Sequence, residues 1–169
     1  MSSDELRAMY IKLLAKAMYE PTKKDVHPSF ISFIQQMSPV DASMFKKICE
    51  EERRPLMALM LVDERIAINE PNHYLTVLDN ITAWTDFSYH EQVRSISNLE
   101  RLGLIKGEAA LPYPPEYYAE VKKTPQYING IDSLTKDCEF YKIHETKGRI
   151  VITPLGESFF DICFGNIRE

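Results

Sequence analysis

Four polar side chains near the middle of the chain have the chemistry of DNA contacts: Arg94, Ser97, Asn98 and Arg101. Arginine and asparagine form paired hydrogen bonds with base edges in the major groove, and serine can contact either bases or phosphates. Spacings of three and four residues place such side chains on neighbouring parts of one helix face. The segment therefore fits the recognition helix of a DNA-binding protein.

The charge around these residues is weak for a phosphate surface. Residues 89–106 carry three basic and two acidic side chains, so a single positive charge is in excess. The whole chain has 20 basic and 25 acidic residues and a formal net charge of -5. Non-specific attraction to DNA depends on basic side chains that neutralise phosphates. We therefore interpret the four polar residues as a solvated helix face and keep DNA binding as the alternative.

The residues that usually carry catalysis or metal binding show no grouping along the chain. None of the four histidines is spaced as in an H-x-x-x-H metal motif, and no C-x-x-C pair occurs among the three cysteines. No glycine-rich phosphate loop is formed by the six glycines. We predict a protein that is not an enzyme, with no metal and no cofactor. The histidines and cysteines considered for catalysis or metal binding are His27, His73, His90, His144, Cys49, Cys138 and Cys163.

A tyrosine and proline segment at residues 111–118 offers a different kind of chemistry. Tyr113, Tyr117 and Tyr118 lie within it, and tyrosine is enriched at the centres of protein interfaces. The same residues would serve equally well to pack this segment onto the rest of the domain. We take the three tyrosines as candidate contacts for a protein partner and keep packing as the competing interpretation.

Two segments about fifty residues apart predict the architecture that positions these side chains. Residues 98–105 read as the end of an amphipathic helix that stops at Gly103 and continues into a strand. Residues 150–160 read as a strand followed by a helix that begins at Thr153 and Pro154 and buries Phe159 or Phe160. The order helix, strand, strand, helix is that of a winged helix, here with an enlarged wing insertion at about residues 106–148. Within the insertion we expect one helix that reaches Lys123 and a second after the next proline.

The first 54 residues predict a helical layer of three helices. The opening helix has apolar residues at steps of three and four, and we expect these to form one inward stripe. Ser38 has the type and position of an N-cap for the third helix, with a proline after it. Residues 56–62 and 74–84 then predict two strands. The predicted fold is α+β and mainly α: a winged-helix-like unit at residues 55–169 packed on the layer at 1–54, as one compact domain. The opening stripe comprises Leu6, Met9, Tyr10, Leu13, Leu14, Ala17 and Met18.

The ordered combination of these segments resembles the Abi-alpha family of bacterial proteins, which is named for abortive infection. The resemblance covers nearly the whole chain. It implies a bacterial cytoplasmic protein connected with anti-phage defence, and it brings no known catalytic residues. Members of that family are usually longer at the amino end, so we expect the chain to be the carboxy-terminal part of a longer protein. The segments that carry the resemblance are residues 5–15, 26–30, 36–42, 96–105 and 152–156.

The remaining sequence features favour a protein of the cytoplasm. No apolar run approaches the roughly 20 residues that span a bilayer, and no signal-peptide pattern opens the chain. We therefore predict a non-enzymatic protein-interaction or assembly module of an Abi-alpha-type defence protein. Its expected partner is a protein, with self-association included, while nucleic acid and membrane are disfavoured. The alternative is a winged-helix transcriptional regulator.

Overall fold

The computed structural model describes residues 4–63, 65, 74–136 and 141–165. Within them the fold is α+β, and its strands form one antiparallel sheet in the order β2-β1-β4-β3. The strands are β1 (Pro55–Asp63), β2 (Tyr74–Ile81), β3 (Ile105–Glu108) and β4 (Tyr141–Ile152). The helices are α1 (Asp4–Met18), α2 (Glu20–Lys23), α3 (Ser29–Gln36), α4 (Pro39–Glu50), α5 (Tyr89–Arg101), α6 (Pro125–Lys136) and α7 (Pro154–Cys163).

The chain divides into two compact units that are not continuous in sequence. The first comprises residues 1–52, 94–106 and 151–169, and the second comprises residues 53–93 and 107–150. The sequence prediction separated residues 1–54 from residues 55–169. The structure instead groups residues 94–106 and 151–169 with the amino-terminal helices. An aromatic core joins α7 to α3 and α4.

This aromatic core is built around Phe159 of α7, which is fully buried. The Phe30 and Phe33 rings of α3 meet it edge-on, with centroids 5.2 and 5.8 Å away. Phe45 of α4 lies at 5.7 Å in a tilted arrangement. Edge-to-face packing at these distances is the favoured geometry of aromatic pairs. The predicted burial of Phe159 or Phe160 is confirmed for Phe159, whereas Phe160 is only half-buried.

Local hydrogen bonds fix the start of α7 as the sequence predicts. The Thr153 side chain caps the helix by accepting from the Gly156 amide, and its hydroxyl donates to the Gly103 carbonyl at 2.6 Å. Gly103 has a φ of 74°, the left-handed conformation that glycine adopts without strain. A Cβ at Gly156 would lie 2.0 Å from the Leu104 carbonyl oxygen. Only glycine therefore permits this close approach of α7 to the segment that follows α5.

The second unit has its own core, on one face of β1. Alternate residues of β1 are buried there, together with residues from the segment that precedes α6 and from α6 itself. Both strands predicted at residues 56–62 and 74–84 are confirmed, as β1 and β2. The buried members of this core are Met57, Leu59, Leu61, Ile81, Tyr118, Val121 and Leu134.

The prediction of a helix that reaches Lys123 is wrong. The structure has two short 3-10 turns there, Pro115–Tyr118 and Val121–Lys123. Prolines at the start of the segment lack amide donors and so cannot sustain α-helical hydrogen bonding. Thr124, which precedes Pro125, is extended with a ψ of 145°, as expected for a residue before proline.

Candidate functional site

A buried carboxylate lies at the start of α4 in the first unit. Asp41 is 4% exposed, and its Oδ2 accepts from the Ser38 amide at 2.7 Å. The Ser38 hydroxyl in turn accepts from the Asp41 amide, which completes a capping box. The predicted N-cap at Ser38 is confirmed. Asp41 Oδ1 has no hydrogen-bond partner among the described residues.

Asn98 and Arg101 of α5 extend this capping box into a polar cluster. The Asn98 amide nitrogen donates to Asp41 Oδ2 and to the Gln36 carbonyl, each at 3.0 Å. Arg101 donates to Asn98 Oδ1 through Nε at 3.1 Å and Nη2 at 2.8 Å. It also donates to Gln36 Oε1 at 2.9 Å. The cluster holds the turn between α3 and α4 against this part of α5.

The four candidate DNA contacts consequently differ in their surroundings. Arg94 and Ser97 are exposed. Asn98 is half-buried and hydrogen-bonded within the protein, and Arg101 is exposed but bonded to two side chains. A side chain that is held in an intramolecular network must give up those bonds before it can contact a base. Asn98 and Arg101 thus have a structural role, because they bond the turn between α3 and α4 to α5.

The candidate tyrosine surface is reduced by the burial of one member. Tyr118 is fully buried; its hydroxyl donates to the Gly148 carbonyl at 2.7 Å and accepts from the Tyr113 amide at 2.9 Å. Burial also raises the pKa of Tyr118. Because Tyr118 is a core residue, it cannot contact a partner. The prediction that it belongs to a contact surface is therefore wrong. Packing of this segment onto the second unit explains its position.

Tyr113 and Tyr117 keep exposed atoms. Both are half-buried, and their rings meet edge-on with centroids 5.8 Å apart. The Arg53 guanidinium lies 4.5 Å from the centre of the Tyr117 ring, within cation–π range. The Tyr113 hydroxyl accepts from the Arg54 amide at 3.5 Å. The two rings and Arg53 are therefore held together within the second unit.

An exposed apolar face on α1 was not foreseen from the sequence. Met9 and Leu13 are buried, as predicted, but Ile11, Leu14 and Met18 are 59, 54 and 84% exposed. The predicted inward stripe is thus wrong for Leu14 and Met18. We use the name α1 stripe for the exposed residues Ile11, Leu14 and Met18 together with the small residues Ala8 and Ala15 beside them.

A sequence signal for this face exists in α1 itself. Apolar residues are found around nearly the whole circumference of the helix, whereas an ordinary surface helix keeps one polar side. The buried side is fixed within the first unit: the Lys12 ammonium donates to the Phe164 carbonyl at 2.7 Å, and Lys16 donates to the Asp161 carbonyl. Glu5 accepts from the Ser43 hydroxyl. The opposite side of α1 carries the exposed apolar residues Ile11, Leu14 and Met18.

A shallow cleft in the first unit contains one of the histidines. It encloses about 240 Å³ and is lined by Lys24, His27 and Ser158 above Phe30 and Leu155, among other residues. The Nδ1 of His27 accepts from the Ser29 amide at 3.2 Å and lies 2.7 Å from the Ser29 hydroxyl. Its imidazole therefore anchors the start of α3.

A charged cluster in the second unit was also missed by sequence reasoning. The Lys122 ammonium bonds both carboxylate oxygens of Glu145, at 2.7 and 2.6 Å, and the Tyr127 hydroxyl donates to the same carboxylate. The hydrogen bond with Glu145 raises the pKa of Lys122. A lysine held protonated in this way is a poor proton acceptor. The cluster braces α6 and the preceding 3-10 turn against β4.

The remaining candidate groups are placed apart. Cys163 is buried, and burial raises the pKa of its thiol to about 12, which is unfavourable for a nucleophile. No cluster of three metal-binding side chains occurs in the part of the chain that the structure describes; His73 and Cys138 lie outside it. Among the helices that it describes, none has the length and apolar character needed to cross a membrane.

Comparison with known proteins identifies a family. A family model with the description Abortive infection alpha matches residues 1–163 of the 169. The match therefore includes the polar cluster, the tyrosine segment and the α1 stripe. Among curated proteins and among solved structures, none matches the chain.

Proposed function

Because the chain belongs to the abortive infection alpha family, we propose that it is a protein-interaction or assembly module that acts in defence against phage. Its contribution is association with another protein, without a chemical step of its own. It works in the cytoplasm, with a protein rather than nucleic acid or membrane as partner. The family supplies the biological setting, and the exposed surface of the first unit supplies the mode of action.

The observation that carries this proposal is the α1 stripe. Its three large apolar side chains are each more than half exposed and lie at helical spacing on one face. Isolated apolar residues are ordinary on protein surfaces, but a contiguous group marks a contact site. A helix face of this kind fits a groove or a second helix by the usual i, i+3, i+7 anchoring.

Tyr113 and Tyr117 form a second candidate contact in the same function. Their outer edges, together with Arg53, combine aromatic area with a guanidinium, and both residue types are enriched in binding hot spots. This contact belongs to the second unit and would act independently of the α1 stripe. Substitution of Tyr117 therefore tests it separately.

We also propose that a winged-helix-like unit forms the scaffold that presents these contact surfaces. The order α5, β3, β4, α7 has the helix, the strands and the closing helix of such a unit, and the residues between β3 and β4 take the place of an enlarged wing. The glycine turn at Gly103 and the cap at Thr153 support it. In this interpretation the scaffold presents surfaces to proteins and α5 is occupied by internal contacts.

An infection assay with matched variants tests the function. Cells that carry the gene are challenged with a panel of phages, and culture survival and phage yield are measured for the parent and for Leu14→Glu. We expect the parent to lower the yield of at least one phage and Leu14→Glu to lose this effect while its circular dichroism stays unchanged. Ile31→Glu is the control, since Ile31 is 47% exposed on α3.

Two outcomes overturn the proposal. One is a parent chain that protects against no phage in the panel. The other is a folded Leu14→Glu variant that protects as well as the parent, because the α1 stripe would then have no part in the function.

A further inference from the structure

We infer that the α1 stripe pairs with the same stripe of a second copy of this chain, with the two α1 helices antiparallel about Ile11. The inference rests on the proposed function and names its partner. The stripe is centred on Ile11: at 100° per residue, Ala8, Leu14, Ala15 and Met18 all lie within about 60° of it. The buried residues Met9 and Leu13 point roughly 160° away.

The stripe has three columns that differ in the size of their side chains. Ile11 and Met18 lie in the middle. Leu14 lies on one side of this column, with the exposed Arg7 about two turns of helix before it, and Ala8 and Ala15 lie on the other side. A small column permits two helix backbones to approach closely, while a large column fills the space beside them.

An antiparallel two-fold axis at Ile11 brings complementary parts of these columns together. At 1.5 Å rise per residue, Ala8 of one chain comes level with the second copy's Ala15 on the same side of the seam. Leu14 comes level with the second copy's Arg7, whose aliphatic stem can cover it. At the axis, Ile11 of one chain contacts Ile11 of the second copy. The self-complementary arrangement is that of a two-fold symmetric interface.

Charge selects the antiparallel direction over the parallel one. The only charged residues on this face, among those described, are Asp4 and Arg7 at its amino end. Parallel helices would set Arg7 against Arg7 and Asp4 against Asp4, and like charges at short distance oppose association. Antiparallel helices separate these pairs to opposite ends and also align the helix dipoles favourably.

The area of the stripe sets the strength of the dimer. A helix of 15 residues is about 22 Å long and about 10 Å wide, so pairing buries several hundred Å² per chain. A standard stable complex buries about 800 Å² per partner. The dimer is therefore weak and reversible, with a dissociation constant of about 1 μM or weaker.

Cysteine cross-linking tests the pairing and its direction. Ile11→Cys places two thiols at the axis, so oxidation should give a disulfide-linked dimer far in excess of that of the parent chain with its native cysteines. Ala15→Cys alone should stay monomeric, because its two copies lie about 12 Å apart along the axis. A mixture of Ala8→Cys and Ala15→Cys should cross-link again. Efficient dimers of Ala15→Cys alone overturn the antiparallel arrangement.

Sedimentation equilibrium tests the association without any cross-link. The parent should pass from monomer towards dimer between about 1 μM and about 1 mM, and Leu14→Glu should stay monomeric while Ile31→Glu behaves like the parent. A parent that is monomeric throughout overturns the inference. Phage protection that is nevertheless lost in Leu14→Glu would leave the proposed function standing with a different protein as partner. Protection retained in a monomeric Leu14→Glu variant would remove the proposed function while the dimer stands.

Discussion

Asn98 and Asp41 are 57 positions apart in sequence, and the side-chain nitrogen of Asn98 donates a 3.0 Å hydrogen bond to Asp41 Oδ2. The carboxylate is buried and its other oxygen has no partner among the described residues. Asn98 therefore supplies a large part of the hydrogen bonding that compensates for burial of a charged group. This links the start of α4 to α5 within the first unit.

Replacement of Asn98 by Ala should cost about 1 to 3 kcal/mol, because the buried acceptor would lose its side-chain donor. Urea unfolding measures the loss as a lower midpoint with an unchanged slope. Ser97→Ala is the control: Ser97 is exposed on the same helix, and its removal should change stability by less than about 0.5 kcal/mol. Equal stability of the two variants would show that Asn98 does not support Asp41.

Phe159→Ala should cost about 3 to 5 kcal/mol, since it removes the ring around which the aromatic core of the first unit is packed. Phe160→Ala provides a matched comparison in the same helix. Phe160 is half-buried and stacks on Phe164 at 5.2 Å, so its loss leaves no closed cavity. Thermal and denaturant unfolding should rank Phe159→Ala well below Phe160→Ala, and the reverse order would contradict the assigned core.

Local signals predicted the parts of this fold that depend on neighbouring residues. The caps at Ser38 and Thr153 and the turn at Gly103 each follow from side-chain oxygens or glycine at a helix end. Their geometry is settled within three or four residues. Hence these three helix ends, and the strands β1 and β2, were predictable from the sequence alone.

Features that depend on distant segments were not predictable in this way. Asn98 reads as a solvated polar residue until α3 and α4 are placed beside it. Tyr118 reads as a surface aromatic, yet its hydroxyl bonds Gly148, 30 positions away. In α1 the apolar residues cover both sides, so periodicity alone could not decide whether Leu14 or Leu13 is buried. In each case tertiary packing chose between local alternatives of similar quality.

The Cys163 thiol should resist alkylation in the folded protein. Burial raises its pKa to about 12, so almost no thiolate is present at a pH of about 8.5, where a free cysteine is half ionised. Peptide mapping after iodoacetamide treatment should find Cys163 unmodified in buffer and modified in urea. Rapid labelling of Cys163 in buffer would contradict its burial.

The same raised pKa predicts a loss of stability in alkali. The folded state favours the neutral thiol, so the stabilisation is complete below about pH 8.5, the unfolded pKa, and declines as pH rises towards the folded value of about 12. Cys163→Ala removes this contribution. Its free energy of unfolding should fall less than that of the parent between about pH 8 and about pH 10.5, and parallel pH profiles would contradict the assignment.

Specific binding of duplex DNA is not expected at physiological salt. The chain has a net charge of -5, and Asn98 and Arg101 are committed to the polar cluster with Asp41 and Gln36. A real operator complex has a dissociation constant near 10⁻⁸ M or tighter and weakens steeply with added salt. Titration of labelled genomic fragments should therefore show weak binding without sequence preference.

Two arginine variants make this test discriminating. Arg94 is exposed, so Arg94→Ala should leave both stability and dimer formation unchanged. Arg101→Ala should lower the unfolding midpoint, because it removes donors from Asn98 and Gln36, and should still leave any weak DNA association as it was. Tight, salt-sensitive and sequence-selective binding that is lost in folded Arg94→Ala would instead make α5 a recognition helix and would favour a transcriptional regulator.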